Sequence, residues 1–311
     1  MCRIMTVSGV YMSLRAKTGI LPMKSQERNG ESFEFLPGGR GTITSAAFSA
    51  LGIDSVLCAK IANDANGKTL SEFFSAANVS HRYSEKAKSC KTGYQMILFE
   101  SDGSWRTVKF PGANYALNRD DIEFAFSCMP DAVFLQKEVP EDILIETCRI
   151  AREKEIPVFY QPCAKRGNFS PLDLGELEML ILDSSEVYSY CGVEMTDIDK
   201  CLQACIALSS RVTAKYYVIR LGGERGTFIY DGKYHYIVEP YGTENTVDIG
   251  GAFEIFGAAV AAYYMRMQNF RKSVVYGNVA YAISESRTGD VDSIPTHSEI
   301  ERYIIENEID A

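Results

Sequence analysis

The sequence predicts an α/β fold: a mainly parallel sheet covered by helices on both faces, with a small β-sheet lid appended. Three observations carry the prediction. Short apolar runs alternate with helix-like runs along most of the 311 residues, the rhythm of strands joined by crossover helices. Residues 92–109 break that rhythm with the two-residue alternation of a hairpin. A glycine turn closes the apolar run at 216–220, and open α/β sheets bind ligands beyond the carboxyl ends of their strands.

Each element follows from its residues. IMTV (4–7) is a first strand. TITSAAFSAL (42–51) is small and helical, and SVLCA (55–59) returns as a strand. Residues 68–77 have helical spacing. AVFLQ (132–136) is a strand, 141–154 a helix and PVFY (157–160) a strand. EMLIL (178–182) is another strand, 197–209 a helix and YYVIR (216–220) a strand. The hairpin TFIYDGKYHYIV (227–238) follows, then an apolar helix from Ala252 and another over 273–286. In TGYQMILFESDGSWRTVK (92–109), alternation flanks an Asp-Gly turn. FEF (33–35) is also extended. Extra strands of this kind form a separate sheet that can close over a cleft. The expected organisation is one domain over 1–311, with lid strands inserted at about 10–36 and 92–110.

Composition narrows the function. Net charge is -9, with 32 basic and 41 acidic residues, which argues against a broad nucleic-acid surface. Nine cysteines, an odd number without CxxC spacing, fit a reduced cytosolic chain. Three widely spaced histidines suggest no metal cluster. The N-terminus lacks the features of a signal peptide. The longest apolar stretch, from Ala252, is about 14 residues, too short to span a bilayer. A soluble, cytoplasmic protein with neither nucleic-acid nor membrane partners is expected.

Three glycine clusters are candidate ligand sites. LPGGRGT (36–42) opens a helix, whose N-terminus attracts anions. YYVIRLGGERG (216–226) ends a strand. NTVDIGGAF (245–253) starts the apolar helix, with Asp248 available either to cap it or to meet a ligand. Each of the first two reads equally as a plain turn. None has the spacing of the dinucleotide fingerprint, which leaves an NAD-linked oxidoreductase the weakest reading.

These segments, in this order, resemble the ribokinase-like (PfkB) carbohydrate kinase family, its ribokinase branch in particular. GGRGTITSAAFSALG (38–52) is similar to the family's GGxGxNxAxxxxxLG signature, with Ile43 for Asn and Ser45 for Ala. KIANDANGKTL (60–70), PGAN (111–114), LQKEVP (135–140), QPCA (161–164), DSSE (183–186) and the tail from 277 to 300 match further segments. The resemblance implies a ribokinase-like three-layer α/β/α sandwich and a β lid that mediates a homodimer. It also implies ATP- and magnesium-dependent phosphorylation of a hydroxymethyl group on a small sugar or nucleoside.

The same alignment marks departures. Gly251 occupies the position of the catalytic aspartate, and Asp248 falls on the first anion-hole glycine, ahead of Gly250. Asp248 is therefore either a displaced base or an obstacle. An ionised carboxylate about 4 Å from a phosphate repels it by roughly 4 kcal/mol at an effective dielectric near 20. Ser13, Gly39, Ile43 and Glu138 fall on the sugar side. Asp183, Glu186, Arg220 (or Leu221), Gly223, Gly226 and Asn278 fall on the nucleotide side, with Glu186 acting indirectly on magnesium. Asn245 replaces the aspartate of a monovalent-cation site, which is not expected to be intact. The resemblance thus supports a sugar kinase with altered chemistry. The departures support a catalytically impaired pseudokinase that binds ligands or regulates.

Overall fold

The structure is a computed structural model that describes residues 2–81, 86–162, 174–222, 225–242 and 246–311. Its strands are β1 (Arg3–Val7), β2 (Tyr11–Lys17), β3 (Ser32–Gly38), β4 (Asp54–Cys58), β5 (Tyr94–Phe99) and β6 (Trp105–Phe110), then β7 (Ala132–Leu135), β8 (Val158–Tyr160), β9 (Leu177–Asp183), β10 (Ala214–Arg220), β11 (Thr227–Tyr230) and β12 (His235–Val238). Its helices are α1 (Arg40–Ala50), α2 (Ala65–Ala76), α3 (Arg119–Ala125), α4 (Glu141–Glu153), α5 (Ser184–Cys191), α6 (Ile198–Ser209), α7 (Ala252–Met267), α8 (Phe270–Glu285) and α9 (His297–Glu306).

Eight strands form the main sheet in the order β12-β11-β10-β9-β8-β7-β1-β4. Neighbours from β4 to β10 pair in parallel, and β11 and β12 run antiparallel at the edge. The α/β class expected from the sequence is the fold observed. Alternate strand residues feed two cores, because successive side chains leave a strand on opposite faces. Met5, Val7, Val133 and Leu135 pack with α3, α4, α5 and α6. Ile4, Phe134, Phe159, Ile181 and Val218 pack with α1, α7, α8 and α9. Helix α7 is buried along most of its length, as its nearly uninterrupted apolar sequence requires. It meets α8 closely: a Cβ at Gly277 would lie 2.4 Å from Val260 Cγ2.

A second, four-stranded sheet has the order β3-β2-β5-β6. It contains the predicted 92–109 hairpin, with Tyr94 opposite Phe110. Alternation again separates two faces. Leu14, Phe33, Phe35, Met96 and Val108 share one face through the pairings Leu14–Phe35, Ala16–Phe33, Leu14–Met96 and Met96–Val108. Ser13, Arg15, Gln95 and Lys109 share the other, which meets the main sheet's loops.

Three helices escaped the sequence reading: α3, α5 and α9. Each is short, and each opens with a reciprocal capping box: Asn118 with Asp121, Asp183 with Glu186, and Thr296 with Glu299. Caps outweigh periodicity when a helix has only two or three turns.

Candidate active site

The glycine-rich stretch after β3 is built for close approach. Gly39 caps α1 at φ 87°, and a Cβ there would sit 2.6 Å from the Tyr11 ring. The Arg40 N–H then donates to Glu138 Oε2 at 3.0 Å. Glu138 follows β7, is 5 % exposed, and is also paired with the lid residue Lys109. Arg40 Nη1 reaches Glu254 Oε1 on α7 at 2.8 Å. One guanidinium thus ties together the starts of α1 and α7. Below it runs a chain of buried amides. Gln136 Nε2 donates to Thr44 Oγ1 (3.0 Å) and Gln161 Oε1 (3.1 Å), and Gln161 Nε2 donates to the Phe253 carbonyl (2.7 Å). Gln161 opens the QPCA segment, whose Cys163 and Ala164 lie outside the described residues.

The stretch before α7 differs from the expected cap. Asp248 does not cap α7; Gly251 stands at the cap with φ 75° and no side-chain bond. Asp248 Oδ1 accepts the Gly250 N–H at 2.8 Å, and Oδ2 accepts the Gly289 N–H at 3.0 Å. Arg15 Nη2, from lid strand β2, donates to the same Oδ2 at 2.8 Å. Burial works to raise the Asp248 pKa, but Arg15 and the two N–H groups outweigh it and hold the carboxyl below its usual range. An oxygen pair already accepting three donors is a poor proton acceptor, which removes the reason to treat Asp248 as a displaced base. The repulsion expected of it is likewise offset by Arg15. In this turn the Gly250 N–H goes to Asp248 and the Ala252 N–H to the Ile249 carbonyl at 3.3 Å. Among the described residues no acceptor is found for the N–H groups of Phe253 and Glu254, so the first turn of α7 keeps its affinity for an anion.

Gly251, Ile43 and Asp290 converge. A Cβ on Gly251 would lie 3.2 Å from Asp290 Cα and 3.3 Å from Ile43 Cδ1. Ile43 makes this wall apolar. Ser13 lies in the lid, fully buried, accepting a hydrogen bond from Gln95 Nε2 at 2.6 Å.

The nucleotide-side residues gather along the ends of β9 to β11. Arg220 pairs with Asp183 across β9 and β10, and with Thr227 across β10 and β11. Its guanidinium stacks on Tyr281 at 3.2 Å, and burial lowers its pKa. Asp183 and Glu186 form the α5 capping box, with the Asp183 N–H donating to Glu186 Oε2 at 3.0 Å. The DSSE stretch is thus a helix cap as well as a motif. Asn278 accepts from Thr227 Oγ1 (2.7 Å) and donates to the Glu239 carbonyl (2.7 Å). Its amide is occupied in bracing β11 and β12, so a nucleotide would have to displace those bonds. Gly226 closes the turn before β11, with its carbonyl accepting the Leu221 N–H. Gly223 and Asn245 lie outside the described residues.

Sequence reading missed Arg15, Arg40, Lys109, Glu254 and Asp290. Arg15 and Lys109 were legible only as polar positions of alternating strands, and nothing local says what they face. No group of three or more His, Cys, Asp or Glu able to hold a metal is found among the described residues, and no described helix is long and apolar enough to cross a membrane.

A mainly parallel sheet between helical layers, a lid reaching over its loops, and a glycine-opened helix facing that lid define a sugar-kinase scaffold. Residues 1–297 match the pfkB family carbohydrate kinases, and the chain belongs to that family. It is 25 % identical over 314 residues to the ribokinase of Bacillus subtilis, covering 98 % of this chain and 100 % of that one. A bifunctional ribokinase/ribose-5-phosphate isomerase A of Fructilactobacillus sanfranciscensis is 25 % identical over 276 residues, covering 88 % of this chain and 50 % of that protein. The structure of Arabidopsis thaliana ribokinase complexed with ribose and ATP superposes with a TM-score of 0.88 at 19 % identity, covering 97 % of this chain and 98 % of that one. The chain is a ribokinase-like sugar kinase homologue.

Proposed function

We propose that the chain transfers the terminal phosphoryl group of ATP to a hydroxymethyl group of a small sugar or nucleoside. The single observation that carries this reading is the state of the anion-binding turn. The charge of Asp248 is balanced by Arg15 at 2.8 Å, and the Phe253 and Glu254 N–H groups are not consumed by acceptors among the described residues. Phosphoryl transfer asks mainly for positioning and charge stabilisation, and helix N-termini supply both to phosphates. Arg220 adds a cation on the nucleotide side. Glu186 is 2 % exposed and its carboxylate accepts the Asp183 N–H, which fits an indirect role toward magnesium, through water and phosphate oxygens, rather than direct ligation.

A second reading, a ligand-binding pseudokinase, draws on Gly251, which offers no proton acceptor. Calorimetric titration with magnesium ATP and with D-ribose separates neither reading from the other but tests the site they share. Micromolar-to-millimolar binding of both is expected; binding of neither would sink both readings.

The lid's outer face supports a homodimer. Phe33 is 70 % exposed, Phe35 59 % and Val108 54 %, on one side of a sheet whose other side meets the site. Contiguous exposed apolar groups of this size mark an interaction surface, and a second copy of the same lid offers a matching one.

A further inference from the structure

We propose that Asp290, on the turn that packs against Gly251, is the proton acceptor of this cleft and takes the place of the side chain Gly251 lacks. The inference rests on the phosphoryl-transfer reading. The starting point is steric. The backbone of Asp290 already fills the space into which a side chain at 251 would grow, 3.2 Å from the Cβ position. That packing is fixed by the Asp290 N–H, which donates to the Gly250 carbonyl at 2.9 Å. Asp290 holds φ 59°, a left-handed conformation that Asp and Asn tolerate better than other side chains.

The two nearby carboxylates differ in what binds them. Asp248 accepts two backbone N–H groups and Arg15. Asp290 has Arg15 Nη1 at 3.2 Å from its Oδ2, and no donor among the described residues reaches its Oδ1. Its side chain is 13 % exposed, so the carboxyl is screened from bulk water without being sealed. The charges around it come from every element it faces: Arg15 on β2, Glu34 on β3, Asp248 before α7 and Glu254 on α7. Burial, with the three carboxylates, pushes its pKa up to about 6 against the pull of Arg15. A base with a value near the working pH is the effective kind.

In the step itself, the acceptor hydroxyl oxygen forms its bond to the γ-phosphorus. The bond from that phosphorus to the β–γ bridging oxygen breaks, and ADP leaves with the electron pair. The hydroxyl proton passes to Asp290 and then to solvent. Arg15, freed of one carboxylate when Asp290 is protonated, remains paired to Asp248.

The test uses the full chain with magnesium ATP and D-ribose, D-fructose, 2-deoxyribose and adenosine as acceptors. Asp290→Asn keeps the size and the left-handed preference, and Asp290→Glu restores a carboxyl. In Asp290→Asn, kcat is expected to fall ~10²–10⁴-fold while the calorimetric Kd for ATP stays within about threefold. The acidic limb of the wild-type kcat profile, with its inflection near 6, disappears in Asp290→Asn, and Asp290→Glu recovers part of the rate. An active wild type with Asp290→Asn of undiminished kcat overturns the assignment alone. So does a variant whose ATP affinity collapses in step with its rate. A wild type that binds ATP but phosphorylates none of these acceptors overturns the phosphoryl-transfer reading and this assignment together.

Discussion

Arg15→Met keeps the length of the side chain and removes its charge, which isolates the ion cluster beneath the lid. Arg15 is 10 % exposed and lies 2.8 Å from Asp248 and 3.2 Å from Asp290. At an effective dielectric near 20 those separations correspond to gross attractions of about 6 and about 5 kcal/mol. Desolvation of the three groups cancels much of this. Removing one partner of a buried pair costs about 3–5 kcal/mol, because a charge is left behind unpaired. Asp248 keeps its two N–H donors, so the low end applies, about 3 kcal/mol. With an unfolding entropy of about 2.1 cal/mol/K per residue over this length, Tm should fall by roughly 5 °C. The pH dependence fixes the cause. Without Arg15, Asp290, already raised by burial and the carboxylates around it, holds its proton more tightly still, further above the ~3.9 of an unfolded aspartate. A carboxyl raised in the folded state costs nothing while protonated, and destabilises as pH rises through its folded value. Asp248, held below its usual range in the wild type, is ionised at pH 5 as well as at pH 8, so its part of the loss is present at both; the Asp290 part is added as pH rises, and calorimetric scans should give a larger difference between variant and wild type at pH 8 than at pH 5. A Tm unchanged at pH 8, or a larger drop at pH 5, would mean that Arg15 does not stabilise these two carboxylates as charges.

Gly277→Ala places a methyl 2.4 Å from Val260 Cγ2 and should cost ~1–3 kcal/mol by overpacking, read from denaturant midpoints; an unchanged midpoint would mean that α7 and α8 are not so closely packed. Glu299 caps α9 and pairs with Arg287; although burial works to raise its pKa, the Thr296 N–H, Arg287 and the Thr296 hydroxyl bring it down to about 2. Its side chain is 35 % exposed, so Glu299→Gln should cost only ~1 kcal/mol at pH 7. A depressed carboxylate stabilises above its unfolded value and loses that contribution as pH falls through the folded one, so the difference should fade between pH 4.5 and pH 2; persistence at pH 2 would contradict the capping role. Phe33→Asp with Phe35→Asp should convert a dimer to a monomer in sedimentation velocity while leaving the circular dichroism spectrum unchanged, and a wild type that already sediments as a monomer would remove the proposed interface.

The main sheet was legible because its strands are apolar runs with turn residues between them, and the lid hairpin because Asp102-Gly103 sits inside strict alternation. The short helices were not: α3 and α5 declare themselves through caps more than through apolar spacing, and α9, although Ile300 and Ile304 are spaced for a helix, is only 10 residues long. Around Arg15 and Arg40, sequence reading singled out Gly39, Glu138, Asp248 and Gly251, and the structure brings Glu138 to Arg40 and Asp248 to Arg15. The sequence left Asp248 open between a helix cap and a ligand contact, because whether a carboxylate caps its own helix or meets a distant arginine depends on Arg15, 233 residues away in the chain. For the same reason Asp290 went unnoticed: its environment is assembled from β2, β3 and α7, and no local pattern in RTGDVDS reveals it. Asn278 and Glu186 show the converse, with motif positions whose side chains also brace the fold.

On the proposed reading, this site carries out phosphoryl transfer although Gly251 has no side chain to take a proton. The direct measurement is transfer of label from γ-labelled ATP, with magnesium, to D-ribose and the other sugar and nucleoside acceptors, using enough wild-type protein to detect turnover ~10⁴-fold below an ordinary kinase rate. A labelled sugar phosphate or nucleotide, formed in proportion to enzyme, is the result predicted. Protein that binds both ATP and sugar yet yields no labelled product would contradict it.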